Sequence, residues 1–130
     1  MGAGNPRPVV LDAGALIAFE RNQPKLRRLI QLAVEYRVPL HVPAGVLAQV
    51  WRDGRRQAHL ARLVASETLR VHSLDSDEAK AAGVLCGRTQ TSDIVDACVV
   101  LLARRHHATV VTSDAGDLLR IDSTLTIAAC

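Results

Sequence analysis

The chain predicts an α/β domain built on a mostly parallel sheet, and three observations carry that expectation. Short β-branched runs alternate with longer segments whose apolar residues recur every three or four positions. Two of the runs, Pro8-Val9-Val10-Leu11 and Ala108-Thr109-Val110-Val111-Thr112-Ser113, close on aspartates, Asp12 and Asp114. A buried parallel strand delivers an acid to the sheet edge in this way, and open α/β sheets place their ligand crevice at that edge. Apolar residues make up 48% of the chain while its aromatics are one Phe, one Tyr and one Trp, so the core must be Leu, Val, Ile and Ala, which suits helices packed on a parallel sheet. At 130 residues, one domain spanning 1–130 is expected, large enough to need no covalent staples.

Each element follows in order. Val9 to Asp12 is the first strand, and a helical stretch follows at once through Ala13 to Phe19. Pro24 sits near the first turn of a second helix, whose Leu26, Leu29, Ile30, Ala33 and Val34 keep the helical spacing. Leu40-His41-Val42 is a short strand ended by Pro43; helix resumes from Gly45 to Trp51, breaks at Asp53-Gly54 and returns from Arg56 to Ala65. Leu69 to Leu74 alternates as a strand does, and Asp75 or Ser76 then caps a helix through Cys86. Ser92 or Asp93 caps the helix that runs to His106. A strand from Ala108 to Thr112, a helical turn from Asp117 to Arg120 and a strand from Leu125 to Ala129 complete the chain.

Composition excludes several classes. Cys86, Cys98 and Cys130 are odd in number, widely spaced and outside any CxxC or Cys/His zinc pattern, so free thiols in a reducing, cytoplasmic compartment are expected. The opening Met1 to Arg7 lacks the apolar core of a signal peptide, and no uncharged run approaches the ~18 residues of a membrane span. Sixteen basic residues against thirteen acidic ones give a net charge of +3, which is compatible with nucleic acid but weak by itself.

The acids carry the functional signal. Asp96 lies inside the apolar run Ile94 to Leu102, where an acid is costly without a partner, and no basic residue stands one helical turn away. Asp93 and Asp96 are three apart and share a helix face. Asp114 follows Asp96 by 18 residues, enough for the rest of that helix, a turn and one returning strand, so both acids lie at one end of the domain. Asp12, ending a parallel strand, can join them there. Two carboxylates ~4 Å apart repel by about 4 kcal/mol at an effective dielectric near 20. A converging set must therefore protonate or hold a hard cation, and oxygen-only ligands suit Mg²⁺ or Mn²⁺.

Three fragments, Leu11-Asp12-Ala13-Gly14-Ala15-Leu16-Ile17-Ala18, Asp96-Ala97-Cys98-Val99 and Val111-Thr112-Ser113-Asp114, together resemble the PIN domain, and most closely the VapC-type toxins of bacterial toxin–antitoxin pairs. The resemblance spans nearly the whole chain in order. It implies a Mg²⁺-dependent endoribonuclease that cuts RNA phosphodiester bonds, a proteic antitoxin whose tail plugs the active site, and a homodimer. Asp12 then resembles the first acid of the pattern, Asp96 the third and Asp114 the fourth, while Thr112 resembles the small hydroxyl residue that steadies the last acid or a water. The second acid is normally a Glu on the helix after the second strand, and Gln49 stands there instead. An amide oxygen can still accept a hydrogen bond, but it carries no charge and cannot act as a base. The alternative is therefore a catalytically weakened PIN domain that binds RNA or an antitoxin.

Each assignment has a bland counterpart. Asp93 either adds a metal-facing oxygen or compensates a helix dipole, and Asp117 is a secondary ligand or a turn residue. Asp12 and Asp114 could merely cap the helices that follow them. The basic groups Arg52, Arg55 and Arg56, then Arg104 and Arg105, then Arg21, Lys25, Arg27 and Arg28 offer phosphate contacts or are solvated helix faces. Trp51 stacks a base or fills a core or interface position, and Cys98 is a small core residue. His106-His107 is read as a pair of helix-end contacts to carbonyls and dipole. An aspartyl-phosphate enzyme with Asp12 as nucleophile is disfavoured, because Asp12-Ala13-Gly14 lacks a second Asp and neither Lys25 nor Lys80 ends a strand.

Overall fold

The computed structural model describes residues 7–130; Met1 to Pro6, on which the signal-peptide expectation mostly falls, lie outside the described residues. Five strands, β1 (Val9–Leu11), β2 (Leu40–Pro43), β3 (Leu69–His72), β4 (Thr109–Thr112) and β5 (Thr126–Ala129), form one all-parallel sheet in the order β3-β2-β1-β4-β5. Seven helices flank it: α1 (Ala13–Glu20), α2 (Pro24–Glu35), α3 (Ala44–Val50), α4 (Ala58–Ala65), α5 (Ser76–Thr89), α6 (Ile94–His106) and α7 (Ala115–Ile121). The α/β expectation holds. Val10, Leu11, Val42, Val110 and Val111 are buried, as the central strands of a sheet covered on both sides must be. None of the helices described is long and apolar enough to cross a membrane.

The topology fixes where a ligand can sit. Strand order runs away from β1 in both directions, to β2 on one side and β4 on the other, so the switch point lies beyond the carboxyl ends of β1 and β4. Residues 12 and 112–114 leave the sheet there. Helix α6 packs across β1, β2 and β4 and brings its amino-terminal turn to the same end.

Element boundaries differ from the sequence reading where side chains compete for the backbone. Helix α5 runs on to Thr89, whose hydroxyl donates to the Leu85 carbonyl at 2.8 Å, and stops where Gln90 turns left-handed at φ 56°. Arg56 and Gln57 remain outside α4. The buried Gln57 amide accepts from the backbone N–H of Arg52 and Asp53 at 2.8 and 3.0 Å and donates to the Val50 carbonyl at 3.0 Å, pinning the loop that follows α3. Strand β3 ends at His72 because an edge strand with exposed Arg70 and Val71 has no burial to prolong it.

Candidate metal centre

Asp12 leaves β1 and caps α1 at once. One carboxylate oxygen accepts from the Ala13 N–H at 2.7 Å and the other from the Thr112 hydroxyl at 2.9 Å, with the residue only 8% exposed. The Thr112 oxygen in turn accepts from the Asp114 N–H at 2.9 Å. The capping reading of Asp12 is thus true, yet a cap alone does not require the link to β4. Thr112 ties the ends of β1 and β4 together, and being 1% exposed it has no water to fall back on. Thr112→Val keeps the shape and removes the hydroxyl, leaving a buried carboxylate oxygen and the Asp114 N–H unpaired. A loss of about 1–3 kcal/mol in urea unfolding is expected. Thr112→Ser should restore most of it, and equal stability of the Val variant would show that the bridge contributes nothing.

Asp96 sits in the first turn of α6, above Asp93. The Asp93 carboxylate caps the helix by accepting from the Asp96 N–H at 3.0 Å, so its capping role is real. The Asp96 carboxyl is pushed up to about 7, first by burial, then by the negative charges of Asp93, Asp12 and Asp117, and by a hydrogen bond shared with Asp93. The Asp117 carboxyl is held above the ordinary range by the hydrogen bond and charge it shares with Asp114, against the pull of Arg120 at 3.0 Å. Asp117 therefore links Asp114 to the field at Asp96. Among the described residues, no ion pair involves Asp12, Asp93, Asp96 or Asp114. Excess negative charge, oxygen donors only and no cationic partner fit a hard divalent ion. Among the described residues, the three ligand-type groups that converge within 4.8 Å are histidines elsewhere in the fold, so these acids would have to turn inward to share one ion.

Gln49 is exposed, and its carboxamide has no hydrogen bond in the described structure. It lies one helical turn beyond Gly45, where an added Cβ would stand 3.2 Å from Val95 Cγ2. Position 49 thus shares the side of α3 that meets the start of α6. Sequence reasoning missed Gly14: an added Cβ there would sit 2.0 Å from Ser113 Oγ and 2.8 Å from Ser113 Cβ. Its φ is not positive, so space, not backbone freedom, is what position 14 requires. Trp51 lies over Gly54, where a Cβ would approach its ring to 2.9 Å, and is 37% exposed. Arg104 and Arg105 are engaged by Asp122 and Glu78, which favours the structural reading of that basic group.

The model of a PIN domain matches residues 9–123. No curated protein matches the chain. Solved structures do. VapBC2 from Rickettsia felis, bound to a DNA fragment from its promoter, superposes with a TM-score of 0.69 at 15% identity, covering 94% of this chain and 98% of that one. FitAcB from Neisseria gonorrhoeae gives 0.57 at 16% identity over 92% and 95%. PAE2754 from Pyrobaculum aerophilum gives 0.59 at 17% over 93% and 83%. At these identities the structures speak for the fold, and the family match for descent: the chain belongs to the PIN domain family.

Proposed function

We propose that this PIN domain is a Mg²⁺-dependent endoribonuclease, with Mn²⁺ as a competent substitute, and the toxic component of a toxin–antitoxin pair. The observation that carries this reading is that Asp12, Asp93, Asp96 and Asp114, at the sheet's switch point, have no cationic partner among the described residues, with the Asp96 carboxyl pushed up to about 7 by burial and then by its acidic neighbours. PIN domains are typically metal-dependent nucleases. Asp12, Asp96 and Asp114 would hold the ion, with Asp93 as a further oxygen and Gln49, Thr112 and Asp117 in secondary positions. A bound Mg²⁺ supplies Lewis-acid stabilisation at a phosphoryl group and acidifies water. The chain's own part is orientation. Asp12 is fixed from two sides by Ala13 and Thr112, Asp93 fixes the first turn that carries Asp96, and the Asp117 carboxyl, raised by its hydrogen bond to Asp114, holds a proton more readily than an ordinary carboxyl. The test is cleavage of labelled RNA by purified protein, dependent on Mg²⁺ and abolished by EDTA; no cleavage of any RNA under those conditions would overturn it.

The same acids suit a partner that inserts an Arg or Lys toward Asp12 and Asp96, which is how an antitoxin would silence them. Val34 and Tyr36, 55% and 62% exposed near the end of α2, supply apolar surface for a second copy in a homodimer. A strictly monomeric protein at high concentration would remove the dimer, and toxicity indifferent to any co-encoded protein would remove the antitoxin.

Gln49 favours a second reading, an RNA- or antitoxin-binding module with weak or absent cleavage. Gln49→Glu separates the two. A carboxylate added beside the start of α6 should tighten Mg²⁺ or Mn²⁺ binding about tenfold or more, a charge-assisted contact being worth ~1–3 kcal/mol and a decade ~1.4 kcal/mol. Cleavage should rise with it, and the metal-free protein should melt lower. Unchanged affinity and unchanged apo stability, by calorimetry and melting, would mean position 49 faces away. Tighter binding with no cleavage would favour the binding module.

A further inference from the structure

At the opposite end of α6 from the acids, three histidines from three elements meet: His41 from β2, His72 from the end of β3 and His106 from the last turn of α6. In the parallel register His41 faces Arg70, so His72, two residues on, points to the same side of the sheet as His41. His41 Nδ1 lies 2.8 Å from His72 Nε2, and the His41 and His106 rings stack with centroids 4.0 Å apart and planes 16° from parallel. One nitrogen from each ring falls within 4.8 Å of the other two. His41 is only 2% exposed, while His72 and His106 are half-buried and give the trio an approach from solvent. His106 Nε2 is buried with no hydrogen-bond partner among the described residues. A buried ring nitrogen left unpaired costs free energy unless something fills its place.

We infer that His41, His72 and His106 form a transition-metal site, a tris-imidazole clamp for Zn²⁺ or a similar borderline ion, separate from the acidic centre. Nitrogen donors select Zn²⁺, Co²⁺, Ni²⁺ or Cu²⁺ and are poor ligands for Mg²⁺, so the two sites differ in the ions they take. Zinc–nitrogen bonds of ~2.0–2.1 Å in a tetrahedron set the nitrogens ~3.4 Å apart. An imidazole lone pair lies in its ring plane, so the stacked His41 and His106 rings cannot aim at one ion as they stand: binding requires the half-buried His106 ring to swing out of the stack and the 2.8 Å hydrogen bond between His41 and His72 to open. All three imidazoles are held below their ordinary pKa, chiefly by burial: His41 to about 4, with His106, His72 and Arg70 adding to it, His72 with His106, Arg105 and Arg70, and His106 with Arg105 and Arg70. Neutral rings keep their lone pairs available. Arg70 and Arg105 oppose a cation, whereas the Glu78 carboxylate, paired with Arg105 and close enough to raise His72, offsets them. His106 follows Asp96 by ten residues, ~15 Å of helix, so an ion at the trio would clamp β2, β3 and α6 rather than touch the acids.

The experiment is a Zn²⁺ titration of the intact chain in excess Mg²⁺, which occupies oxygen sites, followed by calorimetry and melting temperature, with Co²⁺ absorption as a second probe. One equivalent should bind, raise the melting temperature, and give a cobalt spectrum without thiolate charge transfer, since Cys86, Cys98 and Cys130 are free and could compete. His72→Gln and His106→Gln should each weaken binding ~100-fold or more. Asp96→Asn should leave it unchanged, which separates this site from the acidic one whether or not that centre is a nuclease. His72→Gln, on a half-buried edge-strand residue, covers the case in which His106→Gln fails to fold. No stoichiometric binding, binding that survives both substitutions, or a thiolate band would overturn the inference and leave the trio as a neutral hydrogen-bonded core cluster.

Discussion

Asp96→Asn protein is expected to lose RNA cleavage by about 10²–10³-fold, ~3–4 kcal/mol of transition-state stabilisation, while its metal-free form melts higher than the parent at pH 8. Both effects come from one charge. The Asp96 carboxyl is half-buried and faces Asp93, Asp12 and Asp117, so its ionised form is disfavoured until a cation arrives. Asparagine resembles the protonated acid: it keeps an oxygen, can donate to Asp93, and never ionises. A simple folding defect lowers activity and stability together, so opposite signs distinguish the electrostatic account. Unchanged cleavage by the folded variant would remove Asp96 from the active site.

The pH dependence follows with a definite sign. A carboxyl at about 7 in the folded chain against 3.8 when unfolded binds its proton more tightly in the native state. Its contribution to stability is therefore greatest below pH 3.8 and is lost as pH rises from there through 7. The stabilising effect of Asp96→Asn in EDTA should be full above pH 7 and vanish toward pH 4. With Mg²⁺ present the order reverses, because the ion binds the ionised native state of the parent more tightly. Melting curves across pH 4–8, with and without Mg²⁺, check both statements, and a gap between the proteins that ignores pH would sink the account.

How far the sequence could be read depended on whether a signal was local. Strand runs ending in Asp12 and Asp114 are local patterns, and the strands and both acids lie where the patterns put them. The helical spacing from Leu26 to Val34 likewise falls inside α2, which starts at Pro24. The histidines show the other case. His106 reads as a helix-end residue, but stacking on His41 depends on α6 crossing β2, which no spacing within the chain reports. Gln57 and Thr112 differ in the same way. Thr112 adjoins a recognisable strand end, whereas Gln57 is polar in a polar stretch and only the folded loop shows it buried. Asp117 looks like a turn acid, and its coupling to Asp114 and Asp96 appears only once α7 folds back beside α6.

Gly14 is the position where a single added carbon should do most damage to the fold near the acids. Glycine to alanine inside an exposed helix normally stabilises by about 1 kcal/mol. In α1 the sign is expected to reverse. The new Cβ would stand 2.0 Å from Ser113 Oγ, which a rotamer change can relieve, but also 2.8 Å from Ser113 Cβ and 3.1 Å from its backbone nitrogen, which it cannot. The segment 112–114 must therefore move away from α1, and overpacking of this kind costs about 1–3 kcal/mol. That movement acts directly on the 2.9 Å bond between Thr112 and Asp12 and on the approach of Asp114. A displacement of ~1 Å in a catalytic constellation can cost about 10²-fold in rate, so cleavage should fall further than stability alone explains. The double variant Gly14→Ala/Ser113→Gly removes the hydroxyl and the Cβ, leaving only the 3.1 Å contact to nitrogen. It should recover most of the lost stability and part of the activity, measured by urea unfolding and by RNA cleavage in Mg²⁺. A Gly14→Ala protein as stable as the parent would mean that Ser113 and α1 approach each other less closely than 2.8 Å contacts require, and that the segment carrying Asp114 tolerates more slack than this packing implies.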